Sequence, residues 1–144
     1  MKIGKFFSSF FGRQKIEKNT DPKIKCKNIA SSLKRLKSWQ WDERFGVVLA
    51  EFGTEDEDKI LSVLDKHFCE SWDEYSIETA PIHVLNLADY LGGIDGDQIL
   101  FTTAQENETF IFCAWWPWGN GQKISIRIAP FPTGDESFKS CFGL

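Results

Sequence analysis

No apolar run in this chain approaches the ~20 residues that a membrane-spanning helix needs, so the sequence specifies no helical span. Histidine is scarce, with only His67 and His83, and the four cysteines stand far apart at positions 26, 69, 113 and 141. Without a C-x-x-C pair or other closely spaced ligands, the sequence specifies neither a structural zinc site nor a disulfide framework. Free thiols in a reducing cytosol are the plainer expectation. The motifs G-x-S-x-G, H-E-x-x-H, G-x-G-x-x-G and the phosphate-loop G-K-[ST] are all missing. Each of those reaction classes thus lacks its signature, and neither a cofactor nor a metal is expected.

What the chain does have is apolar and aromatic substance. At 144 residues, 42% hydrophobic and 15% aromatic, it is long enough for one domain with a real core. Its charge is unevenly placed. Residues 1–38 hold 11 Lys/Arg against Glu17 and Asp21, whereas residues 39–144 hold 6 against 19 Asp/Glu. An acidic body of this kind repels nucleic acid and steers basic molecules toward itself; its bland reading is a solvated surface beside a basic arm. Residues 1–27 read as that arm and linker, and residues 28–144 as a single α+β domain. The start is basic, then aromatic, and its apolar part is too short for a secretory signal. Phe6, Phe7, Phe10 and Phe11 would either form an interfacial membrane foot or fold back over apolar surface.

The stretch 98–130 carries the clearest pattern. Asn120-Gly121 signals a two-residue type I′ hairpin turn, which sets Trp116 opposite Ser125, Trp115 opposite Ile126 and Cys113 opposite Ile128. Alternation then sorts Ile111, Cys113, Trp115, Ile124, Ile126 and Ile128 onto one face, a core. Phe110, Phe112, Trp116 and Trp118 fall on the other, beside Lys123, Ser125 and Arg127. Lys123 beside Trp118 and Arg127 diagonal to Trp116 are placed for cation–π contact.

Further strands are expected at 45–52, 98–103, 109–116 and 122–129. Asn28 can cap a helix over 28–38 that buries Ile29, Leu33 and Leu36. Thr54-Glu55-Asp56-Glu57 reads as a capping box for a helix over 54–68 that buries Ile60, Leu61, Leu64 and Phe68. The acids Glu55, Asp58 and Asp65 lie on its outer side. A third helix over 82–91 starts after Pro81 and stops at Gly92-Gly93. Cys69 to Ala80 reads as an irregular loop or a short strand. The expected fold is α+β, a four-stranded, mostly antiparallel sheet with about three helices packed on one face.

Chemistry-bearing candidates each have a plainer reading. His67-x-Cys69 would need an aligned base and an activated thiol; a histidine favourable to a helix C-terminus is the plainer account. Asp95-x-Asp97 opens like a calcium loop but lacks the closing glutamate, so it reads as a turn. What remains is a recognition surface of Trp116, Trp118, Lys123 and Arg127 with the acids Glu55, Asp58 and Asp65. Trp and Arg concentrate at binding hot spots, and the competing reading makes the tryptophans core.

In size, acidity and want of catalytic signatures the chain resembles the small acidic immunity proteins with which bacteria neutralise a cognate toxin. That class shares no diagnostic motif, so no residue role is carried over. The resemblance implies a cytoplasmic, non-enzymatic protein whose carboxylates occlude a basic cleft on its partner. Two other readings stand beside it. One is a small-molecule binding or sensing domain with a pocket lined by Trp115, Phe101 and Trp72. The other is an enzyme working through Cys69 or an unrecognised acid/base pair.

Overall fold

The computed structural model describes residues 21–144. The phenylalanines at 6, 7, 10 and 11 lie outside the described residues. The first helix, α1 (Pro22–Ser32), begins six residues before the expected start, because Asp21 rather than Asn28 is its cap. The Asp21 carboxylate accepts the Lys23 amide at 3.0 Å, and Pro22 sits where a missing N–H costs nothing. Residues 22–27, read above as linker, are therefore helical. The helix also ends earlier than the expected 38, at Ser32, so Leu33 and Leu36 follow it in a turn; both are still buried, with Ile29 and Cys26.

The sheet has six strands rather than four: β1 (Gln40–Asp42), β2 (Val47–Gly53), β3 (Glu70–Trp72), β4 (Ile99–Thr102), β5 (Phe110–Pro117) and β6 (Lys123–Phe131). Their spatial order is β1-β2-β6-β5-β4-β3, and every pairing is antiparallel. The two added strands are the edges, each three residues long and too short to display an alternation. Of these, β1 is not among the expected strands, while β3 is the short strand that is one of the two readings of Cys69 to Ala80. Short edges are also how a sheet avoids pairing with other chains.

The central register is the one derived above, with Trp116↔Ser125, Trp115↔Ile126 and Cys113↔Ile128. The turn is different. Trp118 N–H donates to Lys123 O at 2.8 Å and Gly121 N–H to Trp118 O at 3.0 Å, closing a four-residue loop in which only Gly121 has a positive φ, +72°. Two residues or four, the count is even, so face assignment survives the change of turn. The two-residue turn with two left-handed residues occurs instead at Asn107-Glu108 (φ 51° and 65°), closed by a reciprocal Glu106–Thr109 pair.

One face of the sheet carries Ile111, Cys113, Trp115, Ile124, Ile126 and Ile128, all buried. Lying on it are α1 and α2 (Glu57–His67), with Phe68 against Phe101 and Phe101 against Trp115. Each large side chain sealed here contributes roughly 1.5–3 kcal/mol. The expected capping box does not form. Thr54–Asp56 is a separate 3-10 turn, no side chain caps α2, and Thr54 N–H bonds Gln122 O at the hairpin loop instead.

Helices occupy both faces, not one. The third helix, α3 (Ile82–Tyr90), packs on the reverse side, where His83 meets Phe110 and Tyr90 meets Phe131. Its end is pinned by the Tyr90 hydroxyl, which donates to Phe45 O at 2.6 Å. Gly92 and Gly93, both at positive φ, stop it as expected. A C-terminal 3-10 turn, Ser137–Phe142, closes the domain against α1 and β1, with Trp39 on Phe142 and Trp41 on Phe138.

Candidate functional site

Two regions near the β5–β6 hairpin hold the side chains relevant to binding. The first is the part of the reverse face that α3 leaves open. Here Trp116 is half-buried between the Phe45 ring, edge-on at 5.7 Å, and the Arg127 guanidinium, 4.3 Å above the indole. Arg127 Nε donates to Asp42 Oδ2 at 2.9 Å, and the other carboxylate oxygen accepts the Arg44 amide at 3.0 Å. The side chains of Arg127 and Asp42 are only 16% and 13% exposed. At the hairpin end, Trp118 stays 38% exposed, with its indole N–H on Ser125 Oγ at 2.9 Å and the Lys123 ammonium 5.5 Å from its ring. Both expected cation–π pairs thus form. The polar groups of this face largely answer one another.

The second region is a cleft of about 440 Å³ at the same end of the sheet, on the side of α2. Its floor is Ile99, Trp115, Pro117 and Ile124, and its walls bring together Glu57, Asp73, Glu74 and Asp97, with Lys123 at the hairpin the one cationic residue in its lining. Four separated stretches converge here because the ends of β2, β3 and β5 and the starts of β4 and β6 all lie at one end of the antiparallel sheet. The loop after β3 owes its shape to Asp73. Its carboxylate accepts the Tyr75 and Ser76 amides at 3.0 and 2.8 Å, while its own amide donates to Ser76 Oγ at 2.9 Å. This reciprocal arrangement holds Glu74 where it accepts the Gly96 amide at 3.3 Å, and turns Tyr75 outward, 77% exposed at the rim.

Of the seven residues singled out from sequence, Lys123 alone lines the cleft. Trp116, Trp118 and Arg127 belong to the reverse face; Glu55 is exposed in the 3-10 turn before α2, Asp58 is exposed in the first turn of α2, and Asp65 is half-buried farther along it. Glu57, Asp73, Glu74, Tyr75 and Asp97 are not among the residues read as partner-binding; Glu57 is placed in the expected capping box and Asp97 in a turn. Their local signal was the acid-rich run Asp73-Glu74-Tyr75 and the turn at Asp95–Asp97, whose convergence depends on the short strand β3.

His67 Nε2 lies 2.9 Å from Ser32 Oγ on α1, and Cys69 Sγ points to Thr102 O at 3.8 Å. Burial pushes the Cys113 thiol well above its ordinary range and lowers His83 below its own. Trp72 lies on the opposite face from Phe101 and Trp115, its indole N–H on Thr102 Oγ1, so those three side chains do not line one pocket. Among the described residues, no group of three or more His, Cys, Asp or Glu side chains is arranged to hold a metal ion. No protein-family model matches this chain, and no curated protein or solved structure matches it either.

Proposed function

We propose that this protein is a binding module for a basic protein segment, received in the acidic cleft between the start of α2 and the β3–β4 loops. The observation that carries the reading is the make-up of that cleft, four carboxylates over an apolar floor with an exposed tyrosine at the rim. An Arg or Lys side chain entering it would lay its methylenes on Pro117 and Ile124 and bring its charge among Glu57, Glu74 and Asp97. The body's excess of acids would speed encounter at a distance and reject acidic competitors. Tyr75, 77% exposed at the rim of the cleft, is the aromatic anchor of such a surface. In its specific form this is a neutralising inhibitor that masks the cationic working surface of a toxin.

A labelled Arg-rich peptide, titrated into the full-length protein at low and at high salt, tests the reading. Binding should weaken at least tenfold in the double variant Glu57→Lys/Asp97→Lys. It should weaken far less in Glu106→Lys/Glu108→Lys, which alters the net charge equally at the other end of the sheet. Equal losses in both variants would reduce the effect to general charge attraction and refute a cleft-specific site.

A further inference from the structure

We propose that Cys141 and Cys26 are a redox pair that hydrogen peroxide converts to an intramolecular disulfide, tying α1 to the C-terminal turn. Cys141 Sγ lies 3.9 Å from the carbonyl oxygen of Lys23 on α1. In an α-helix that oxygen faces the amide four residues on, so it lies beside the Cys26–Lys27 step. Cys26, three residues after Lys23, projects from the same side of the helix. Cys141 has therefore reached the turn of helix from which Cys26 extends, and a disulfide needs the two Cβ atoms only about 3.5–4.5 Å apart. The electrostatics agree. Burial first, and electrostatic coupling to Cys141 second, push the Cys26 thiol up to about 12.

The two thiols differ in access, which sets the order of events. Cys141 is half-buried and lines an open cleft of about 470 Å³ with Asp21, Lys23, Ile24, Lys27 and Ser140. Cys26 is 0% exposed and held protonated. Cys141 thus meets the oxidant. Its thiolate attacks one peroxide oxygen, forming an S–O bond as the O–O bond breaks, and the departing hydroxide takes a proton to leave as water. Cys26 sulfur then attacks the sulfenic sulfur; the S–S bond forms, the S–O bond breaks, and the second water carries away the Cys26 proton. Two thiols lose two electrons and the peroxide is reduced to two waters. The other cysteines are poorly placed to compete, with Cys113 fully buried on β5 and Cys69 directed at β4.

Full-length protein exposed to hydrogen peroxide, then denatured, alkylated and mapped by mass spectrometry, tests this. The expected product is a linked peptide joining Cys26 to Cys141, two hydrogens short. It should be abolished in Cys141→Ser, retained in Cys69→Ser and reversed by dithiothreitol. The oxidised protein should melt several degrees above the reduced one, because the link restrains the unfolded chain. Recovery of Cys26 as a fully alkylated thiol while Cys141 carries sulfinic or sulfonic acid would overturn the pairing. So would a bridge between two chains, or loss of the link in Cys69→Ser.

Discussion

The two regions beside the hairpin contrast in how their charges are satisfied. On the reverse face, Arg127 is spent on Asp42 and Trp116, and Trp118 on Ser125 and Lys123. In the cleft, Asp73 and Glu74 accept backbone amides, and Glu57 and Asp97 line the same space, so one sign of charge predominates there. A surface whose groups already bond each other gives up those bonds on binding, whereas a cleft of one sign gains its counter-charge from the partner. The tryptophan hairpin therefore serves mainly as framework, with Trp118 as its exposed tip, and recognition falls to the acids.

The sharpest break of this contrast uses two adjacent tryptophans on opposite faces. Trp115→Ala opens a cavity under α2 and should cost about 3–5 kcal/mol in chemical denaturation, while Trp116→Ala, half-exposed, should cost about 1–2 kcal/mol. Equal losses would mean that the open face is as much core as the closed one. Arg127→Ala comes next. It strands the Asp42 carboxylate at low exposure and should lose about 1–3 kcal/mol, whereas Asp97→Asn in the cleft should leave stability unchanged or raise it.

Smaller still is the turn at the other end. Glu108 holds a φ of +65° in a turn that favours glycine there, so Glu108→Gly should stabilise by about 0.5 kcal/mol, measured as a shift in urea midpoint. The smallest effect concerns pH. Burial raises the Glu70 carboxyl above its ordinary value, so the folded state holds that proton more tightly than the unfolded chain does. Stability is then lost as pH rises from the ordinary glutamate range through the raised value. Glu70→Gln should remove that loss at neutral pH and change nothing in acid, which paired urea titrations would show.

How far the sequence was readable follows from these same residues. The β5–β6 register was accessible because isoleucines alternate at 124, 126 and 128, and because a two- or four-residue loop preserves parity. The turn type was not, since Asn120-Gly121 favours a tight turn that the Trp118–Lys123 pairing overrides. Asp21-Pro22 carried a proper helix-start signal, yet the lysines around it read as a solvated linker. The cleft was hidden for a different reason. Each of its walls looks like a separate acidic loop, and only the three-residue strand β3 brings Asp73 and Glu74 opposite Asp97. Tertiary pairing, not local propensity, assembles it.

The central claim is about location, and a residue-resolved titration addresses it. In ¹⁵N-labelled full-length protein titrated with an Arg-rich peptide, the amides of Glu74, Tyr75, Asp97 and Lys123 should shift together. The signals of Asp42, Trp116 and Arg127 should stay in place. Shifts centred on Asp42, Trp116 and Arg127, with the cleft amides unmoved, would contradict the account.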